Sequence, residues 1–310
     1  MVERFRKKAK VRTIAVASRK GGVGKTFSAI NIACCAANGG PNGDLPKLKV
    51  LIVDADSQQN STYYYLKHMG AQMAGQKVLL PPNPNCPMGN IYNISDIIAG
   101  NEYMEYPTEW ENIFIIPSDG RIDQLNDIAT GDIKGYDDNQ LNKFSSMLFD
   151  DLIADVSDEY DLIVIDTPPS KTHASQGAIA ASSDCLVVAN PDAFCASNAV
   201  PGTIADIQMN NSTFRNEDNQ TNIIGILINK VSSLRPTSHE KDHIRKIRSQ
   251  FPEFFSPNLV MCNYVAFNTE IPQKPGHFEW YKHPQAKEQM ESFYNYISDK
   301  VLSDIYAEAK

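Results

Sequence analysis

A glycine-rich stretch with two lysines and a threonine covers residues 19–26 and reads R-K-G-G-V-G-K-T. Glycines at positions 21, 22 and 24 let main-chain N–H groups approach phosphate oxygens closely, because no Cβ atom stands in the way. A helix that begins directly after them adds the attraction of its positive N-terminal end. Lys25 would then reach the β- and γ-phosphates, and Thr26 would bind a magnesium ion. The stretch therefore predicts a site for the polyphosphate of a nucleotide.

Two further segments supply the acidic side chains that such a site needs. V-D-A-D-S-Q-Q-N covers residues 53–60 and V-I-D-T-P-P covers residues 164–169, each at the end of an apolar run. Ligands of open α/β sheets bind at the carboxyl ends of the strands. Asp166 is predicted to hold the magnesium ion, and Asp56 to orient the attacking water beside it. Other interpretations stay open, because Asp54 could cap a helix and Asp166 could stabilise a turn.

The apolar pattern predicts the elements that position these residues. Continuous apolar runs of strand length are typical of a parallel sheet that is covered on both faces. They lie at residues 13–17, 50–53, 113–116, 162–165, 185–189, 223–228 and 259–261. Helical patterns lie between or after them, at residues 26–37, 141–156, 197–209, 239–250 and 285–307. This alternation predicts one α/β domain with a doubly wound, mostly parallel sheet and helices on both faces.

Composition narrows the class of protein. The chain has 310 residues, of which 42% are hydrophobic, so it can bury a sizeable core. Its formal net charge of −8 argues against a protein that coats nucleic acid with its whole surface. Lysine and arginine are concentrated locally, at residues 1–12 and 235–248.

Cysteine spacing and hydropathy indicate the compartment. The six cysteines show no C-x-x-C spacing, and we expect reduced, mostly buried thiols. The apolar stretch at residues 14–17 is too short for a signal peptide, and no apolar run reaches the roughly 18 residues of a membrane span. We therefore expect a cytoplasmic protein. Residues 38–48 and the proline-rich residues 75–90 are predicted as surface loops without regular structure.

The glycine-rich stretch departs from the standard G-x-x-x-x-G-K-[ST] pattern, because Arg19 stands where that pattern has glycine. With Lys20 it reads K-G-G-V-G-K-T, which resembles the deviant Walker-A loop of the ParA/MinD family of P-loop ATPases. The resemblance implies that Lys20 contacts the phosphates of the ATP held by a partner subunit. From the residues alone, Lys20 could also be an exposed charge beside the phosphate site.

The two acidic segments resemble the two switch regions of the same family, written D-x-D-P-Q-x-N and D-T-P-P. Ser57 replaces the proline of the first switch and Gln59 replaces its frequent glycine. We therefore expect a more mobile loop, and a rate of hydrolysis that differs from the usual rate of the family. The chain resembles the ParA branch more than the MinD branch, and no winged-helix domain is expected in the short segment before the first strand.

The resemblance implies a set of site residues. Catalytic roles are expected for Lys20, Lys25 and Asp56. ATP binding is expected of Lys20, Gly21, Gly22, Val23, Gly24, Lys25, Thr26, Phe27 and Asn229. Metal binding is expected of Thr26, Asp56 and Asp166. Asn229 matches the family asparagine that contacts adenine, although it could equally end a strand in a turn.

A basic helix after the Asn229 strand is a candidate nucleic-acid surface. ParA proteins bind DNA without sequence preference as ATP-bound dimers, through basic residues of the matching helix. The corresponding residues here are Arg235, Lys241, Arg245, Lys246 and Arg248. A solvated helix surface remains the alternative, because Glu240 and Asp242 dilute the positive charge.

The resemblance also implies an organisation and a function. Residues 1–10 form a basic tail, and residues 11–310 form a single ATPase domain. ATP and Mg2+ would join two copies, which bind DNA and drive plasmid or chromosome segregation. A centromere-binding, ParB-like partner would stimulate the weak intrinsic hydrolysis. The protein would be cytoplasmic, nucleoid-associated when ATP-bound, and independent of membranes. The alternatives are a MinD-like or other positioning ATPase that acts on a protein or membrane cargo, and a P-loop metabolic ligase.

Overall fold

Apolar strands form the centre of the structure. The computed structural model describes residues 11–86, 88–98, 104–124, 138–232, 236–262 and 284–309. The strands in these ranges are β1 (Arg12–Ala17), β2 (Val50–Asp54), β3 (Gln72–Ala74), β4 (Lys77–Leu79), β5 (Tyr106–Pro107), β6 (Ile113–Ile116), β7 (Leu162–Asp166), β8 (Asp184–Ala189), β9 (Asn222–Val231) and β10 (Val260–Cys262). Eight of them join one sheet in the order β10-β9-β8-β1-β7-β2-β6-β5. β3 and β4 pair separately as an antiparallel hairpin.

The eight-stranded sheet is parallel except at its β5 edge. Every strand expected from an apolar run occurs in it, with boundaries that agree to within three residues. β2 and β7 are in register, so that Asp54 pairs with Asp166 at the last residue of each strand. The predicted α/β fold with a doubly wound, mostly parallel sheet is confirmed, and both acidic segments begin at the same edge of the sheet.

Helices cover both faces of this sheet. The α-helices are α1 (Lys25–Asn38), α2 (Asn60–Leu66), α3 (Ile94–Ile98), α4 (Asp138–Val156), α5 (His173–Ala181), α6 (Val200–Phe214), α7 (Ser238–Gln250), α8 (Pro284–Ile297) and α9 (Ser303–Glu308). Side chains alternate between the two faces along β2 and β7. Val50, Ile52 and their neighbours join a core with α1, α6 and α8. Leu51 and Val53 join a second core with α4 and α5.

Some local features differ from the sequence expectation. The structure places the hairpin strand β4 inside residues 75–90, where the prolines had predicted no regular structure. Helices α2 and α5 are short, and their apolar periodicity was too brief to predict them. The predicted helix 285–307 is interrupted by a π-helical turn at Ser298–Leu302. A similar turn at Cys195–Ala199 precedes α6.

The predicted loop at residues 38–48 is confirmed. Gly39 and Gly40 have φ angles of 80° and 83°, which end α1 in the left-handed conformation. Their main-chain N–H groups donate to Ala36 and Cys35 in the last turn of the helix. The loop then returns the chain to β2, so that the end of this strand reaches the glycine-rich stretch.

The cysteine interpretation is also confirmed. All six cysteines lie within the described residues, are buried, and are free thiols. Cys34 and Cys35 lie in the core of α1. They act as small apolar residues in the core.

Gly177 sets the distance between α4 and α5. A Cβ atom added at Gly177 would overlap the Ser145 hydroxyl oxygen and lie 2.7 Å and 2.8 Å from the main-chain carbon and oxygen of Ser145. That residue is fixed, because its hydroxyl donates to the carbonyl of His173 at 2.7 Å. The two helices can therefore pack this closely only when position 177 has no side chain.

We expect Gly177→Ala to lower the free energy of unfolding by about 2 kcal/mol, because α4 must move away from α5. In an unobstructed helix the same change stabilises the protein by somewhat less than that amount. Gly120→Ala is the matched control, since its added Cβ meets only the flexible Lys77 side chain at 3.7 Å. Chemical denaturation of both variants measures the difference, and equal stabilities would contradict this packing.

Candidate functional site

The glycine-rich loop lies between β1 and α1 and is held by the end of β9. Gly22 and Gly24 have φ angles of 71° and 103°, a region that favours glycine. A Cβ atom at Gly24 would overlap the side-chain amide of Asn229. That amide donates to the carbonyl of Val23 at 3.1 Å. Gly24 is therefore required by its neighbour in the fold as well as by its backbone angle.

Lys25 opens α1 at the base of the loop and is only 6% exposed. Burial lowers the pKa of its ammonium group, while the charges of Asp166 and Asp56 oppose that shift. The two carboxylates thus favour the charged form of a lysine that burial alone would tend to neutralise. A charged lysine at this place is what the predicted phosphate site needs.

Asp166 is fully buried at the end of β7. Its Oδ2 atom accepts a hydrogen bond from the Ser61 hydroxyl at 2.8 Å, and its Oδ1 atom has no hydrogen-bond partner among the described residues. Burial raises the pKa of Asp166 to about 6, although the nearby Thr26 and Ser61 hydroxyls and the Lys25 charge lower it. A buried carboxylate oxygen without a partner is costly unless a ligand completes it. The Thr26 hydroxyl lies beside this carboxylate, so the two residues fit a shared magnesium ion.

Asp54 is also fully buried, but all its contacts are internal. Its Oδ2 atom accepts from the main-chain N–H and the hydroxyl of Thr62, at 2.8 Å and 2.7 Å. Its Oδ1 atom accepts from the N–H of Asp56 at 3.0 Å. Burial and the charge of Asp166 raise its pKa well above the ordinary value. Asp54 thus satisfies the first turn of α2, close to the helix-capping interpretation of the sequence.

The loop and the acidic segments surround a cavity of about 350 Å³. Predicted site residues that line it are Gly21, Gly22, Gly24, Lys25, Thr26, Phe27, Asp56 and Asn229. Three residues predicted for nucleotide or metal binding do not line it. Val23 is buried in the core, Asp166 is fully buried, and Lys20 turns away. The cavity size suits a ligand of nucleotide dimensions.

Lys230 also lines the cavity and was missed by the sequence analysis. It has a φ angle of 60°, unusual for a residue with a side chain. Its ammonium group donates to the carbonyl of Gly22 at 2.5 Å, and its N–H donates to the side-chain oxygen of Asn229 at 2.9 Å. The Asn229 side chain therefore forms hydrogen bonds with the glycine-rich loop and with Lys230. These bonds give it a structural role in addition to the predicted adenine contact. The position of Lys230, directly after Asn229, was the sequence feature that could have predicted its place at the cavity.

Lys20 is held by an acidic residue that was given no role from the sequence. Its Nζ atom lies 2.5 Å from Oδ2 of Asp192 and 5.9 Å from the ring centre of Phe194. The Lys20 side chain is 30% exposed, and Phe194 is 51% exposed. Lys20 is therefore at the rim of the site, where its ammonium group contacts Asp192, and it does not line the cavity.

The first acidic loop is tied to the hairpin. Gln59 has a φ angle of 55°, which explains why glycine is favoured at this position. The Gln59 side chain is 1% exposed; it accepts from the N–H of Val78 at 2.9 Å and donates to the carbonyl of Ser118 at 2.8 Å. These bonds anchor the loop. They give no support to the expectation of a more mobile loop, because a buried glutamine with several bonds restrains the backbone.

The basic helix α7 is almost entirely exposed, with Ile247 its only residue buried in the core. Lys241, Arg245, Lys246 and Arg248 are exposed, and Arg235 lies outside the described residues. Lys241, Arg245 and Arg248 share one face by their spacing. Lys246 donates to the hydroxyl of Ser197 at 2.8 Å, in the turn before α6.

The acidic residues of α7 have local partners. Glu240 completes a capping box with Thr237 and also accepts from the N–H and hydroxyl of Ser232. Asp242 pairs with Arg245 at 2.9 Å. Glu240 therefore binds groups at the N-terminus of the helix. The face formed by Lys241, Arg245 and Arg248 keeps exposed cations. Residues 1–10, the predicted basic tail, lie outside the described residues.

Other site types find little support in the described chain. Among the described residues, no group of three or more His, Cys, Asp and Glu side chains is arranged to hold a metal ion by itself. A magnesium ion that is shared with phosphate oxygens needs fewer protein ligands. No helix within the described ranges has the length and hydropathy required to span a bilayer.

Comparison with known proteins finds a matching family and related sequences. A family model described as an AAA domain matches residues 11–221. A virulence plasmid ParA family protein of Chlamydia psittaci is 30% identical over 190 residues, which are 59% of each chain. The chromosome-partitioning ATPase Soj of Treponema pallidum is 28% identical over 57% of this chain and 56% of its own length. The chain thus matches less than two thirds of the length of these relatives.

Solved structures show the same fold. An ATP complex of a variant of McdA from Cyanothece superposes with a TM-score of 0.68 and 17% identity, over 93% of this chain and 96% of the other. MinD from Pyrococcus horikoshii, complexed with Mg-ADP, gives a TM-score of 0.60 and 18% identity. The superposition covers 96% of this chain and 99% of MinD.

The family match carries the assignment, because it covers more than half of the chain and includes the glycine-rich loop and both acidic segments. The relatives that match the same region are named as ParA-family proteins and partitioning ATPases. The chain therefore belongs to the AAA domain family, as a ParA/MinD-type P-loop ATPase.

Proposed function

We propose that the protein binds Mg-ATP in the cavity beside the glycine-rich loop, hydrolyses it slowly, and joins a second copy around the nucleotide. The observation that carries the proposal is the convergence of Lys25, Thr26 and Asp56 on one cavity, above the buried Asp166. Main-chain N–H groups and a buried lysine stabilise phosphate charge, and such positioning dominates phosphoryl transfer. A solved structure with the same fold, the McdA variant from Cyanothece, holds ATP, which supports the choice of nucleotide.

A magnesium ion fits the acidic side of the cavity. Thr26 and Asp166 would hold it, the latter through the oxygen that has no partner, and Asp56 lies beside them. The ion would neutralise charge that develops on the phosphate oxygens. Asp56, anchored by the Gln58 N–H at 3.0 Å, would orient the attacking water. Weak intrinsic hydrolysis is expected because a partner protein would complete the positioning of Asp56 and the water.

Dimerisation would use Lys20. In the isolated chain its ammonium group pairs with Asp192 at the rim of the site. This pair is part-exposed, so exchange for a phosphate of the second copy costs little. The dimer would then hold two nucleotides between its subunits. Lys20 would make dimerisation depend on bound ATP, because it would contact a phosphate of the other subunit's nucleotide.

DNA binding would follow from α7. Its exposed cations on one face would be doubled in a dimer, which strengthens electrostatic binding to phosphates without sequence preference. Together with the partition names of the relatives, this supports a role in plasmid or chromosome segregation with a ParB-like, centromere-binding partner. The protein would then be cytoplasmic, and on the nucleoid while it holds ATP. The decisive test is DNA binding across a salt series with Mg-ATP, and with Mg-ADP as the control.

The same experiment separates the other functions. Binding to DNA that needs Mg-ATP and weakens steeply with salt supports partition. Hydrolysis that depends on a small acid or amine and ignores DNA indicates a metabolic ligase. Hydrolysis that responds to lipid vesicles or to a cargo protein, without DNA binding, indicates a MinD-like positioning ATPase.

We expect Lys25→Ala to abolish Mg-ATP binding, because the buried ammonium group contacts the phosphates directly. Lys20→Ala should keep Mg-ATP affinity within about threefold and lose ATP-dependent dimerisation, since Lys20 would act on the other copy's nucleotide. Titration calorimetry and analytical ultracentrifugation measure the two properties. A Lys20→Ala protein that dimerises normally would refute the role assigned to Lys20.

We expect Arg248→Glu to weaken ATP-dependent DNA binding by about tenfold or more at moderate salt, and to reduce its salt dependence, because each dimer loses two phosphate contacts. ATP binding and dimerisation should be unchanged. Lys143→Glu, an equal charge change at an exposed position of α4, is the control. If both variants lose DNA affinity equally, α7 is not the contact surface.

The raised pKa of Asp166 predicts a pH dependence of stability. Since its pKa rises from 3.8 to about 6 on folding, the folded protein keeps a proton that the unfolded chain releases between these values. The free energy of unfolding without nucleotide should therefore fall as pH rises from about 4 to about 6, and Asp54 adds a change of the same sign.

Asp166→Asn should flatten this dependence, whereas Asp151→Asn, at an exposed position, should leave it unchanged. Denaturant melts at several pH values, without metal, measure the slope. Affinity for Mg-ATP should change in the opposite sense and weaken below about pH 6, because protonated Asp166 no longer attracts the ion. A rising stability across this window would contradict the assignment.

A further inference from the structure

Arg19, the residue that replaces glycine in the standard loop pattern, is bound to a buried acid on α6. Its Nε and Nη2 atoms donate to the two carboxylate oxygens of Asp206, each at 2.7 Å. The Asp206 side chain is only 5% exposed. Such a two-bonded pair fixes the guanidinium in position and in orientation. The N–H of Arg19 also donates to the Thr203 hydroxyl at 3.2 Å, one turn earlier on the same helix.

The same carboxylate binds a second loop. Lys171 follows the D-T-P-P segment, and its Nζ atom lies 3.2 Å from Oδ1 of Asp206. Asp206 therefore joins the glycine-rich loop to the loop after β7. Both loops border the nucleotide cavity, the first through Gly21 and Gly22 and the second through Pro169.

The packing at Gly202 shows that the arginine position is built into the fold. A Cβ atom at Gly202 would lie 2.5 Å from Nη1, 2.8 Å from Cδ and 2.9 Å from Cζ of Arg19. The helix α6 thus offers a gap for the Arg19 stem and an acid for its head. Since Arg19 points into α6, the next side chain, Lys20, lies against Asp192 at the rim.

We propose that Asp206 is a positioning residue for ATP-dependent dimerisation. It holds the glycine-rich loop and the loop after β7 in a fixed relation, and thereby directs Lys20 towards the second copy. This inference rests on the proposed function. Phosphates of the chain's own nucleotide are bound by main-chain N–H groups and Lys25, so Asp206 affects their binding little. Its effect falls on the dimer and on turnover, where small displacements of the loops are costly.

The test compares full-length variants in three measurements: Mg-ATP affinity, ATP-dependent dimerisation, and kcat with KM for hydrolysis. Asp206→Asn should weaken dimerisation and lower kcat about tenfold, while Mg-ATP affinity and KM change less than about threefold. Arg19→Gln should reproduce this loss, and Arg19→Lys should recover part of it. Arg19→Gln combined with Asp206→Asn should be no worse than Asp206→Asn alone, as expected for one shared interaction.

Two further variants separate positioning from stability. Gly202→Ala changes no charge and displaces the guanidinium, while its higher helix propensity offsets part of the lost stability, so it should weaken dimerisation with a smaller fall in melting temperature than Asp206→Asn. Asp150→Asn removes a two-bonded arginine pair of similar geometry, with Arg215 at 2.8 Å and 2.9 Å, away from the nucleotide cavity. It should affect only stability.

The outcomes are distinguishable. Wild-type protein that binds no Mg-ATP would overturn the proposed function. If the wild type binds Mg-ATP and dimerises, an Asp206→Asn variant that dimerises equally well would overturn the inference alone. So would a variant whose Mg-ATP affinity falls as much as its dimerisation, because Asp206 would then only maintain the fold of the site. Dimerisation lost with affinity retained, in Asp206→Asn and Gly202→Ala but not in Asp150→Asn, supports the inference.

Discussion

The burial of Lys25 among carboxylates is the interaction on which the site depends. Lys25 is only 6% exposed, and burial lowers the pKa of its ammonium group, but Asp166 and Asp56 favour the charged form. Lys25 in turn lowers the cost of ionising Asp166. Two carboxylates thus lie near one lysine, and Asp54 lies next to Asp166 at the end of the neighbouring strand. Burial is the main cause that raises the pKa values of Asp54 and Asp166, and neighbouring carboxylates add to it, so a divalent cation would stabilise the arrangement.

The glycine-rich loop is shaped by the fold before any phosphate arrives. Asn229 and Lys230, at the end of β9, bind the carbonyls of Val23 and Gly22. These bonds turn carbonyl groups towards the sheet, which leaves N–H groups of the loop available to a ligand. A loop that is already ordered loses less entropy on binding, so the anion site gains affinity from contacts that never touch the anion.

Acidic residues beyond β8 control the two basic residues that open the loop. Asp206 holds Arg19 on α6, and Asp192 holds Lys20 at the surface. The segment between these acids contains Ser197, which accepts a hydrogen bond from Lys246 of α7. The nucleotide loop and the basic helix therefore share one connecting element, α6 with its preceding turn. The residues that hold Lys20 and Arg19 thus lie close along the chain to the residue that contacts the proposed DNA surface.

The sequence by itself determined the phosphate loop, the parallel α/β fold and the carboxylates at strand ends. Each is a local pattern: glycines before Lys25 and Thr26, unbroken apolar runs, and Asp166 directly after one of them. Such signals follow from backbone freedom and from side-chain alternation, which act within a few residues. They also predicted the ParA/MinD family, because its phosphate loop and two switch segments are each short and contiguous.

The tertiary structure alone decided which distant residues complete the site. Asp206 and Arg19 are separated by 187 positions, and Lys230 and Gly22 by 208. No spacing rule connects such pairs, since the order of the strands brings them together. Gln59 shows the same limit, because its sequence suggested mobility while the hairpin and Ser118 restrain it. Short sequence patterns were sufficient to predict which groups bind the ligand. The orientation of these groups was determined by the packing of α6, β9 and the hairpin around them, because orientation depends on neighbours that are remote along the chain.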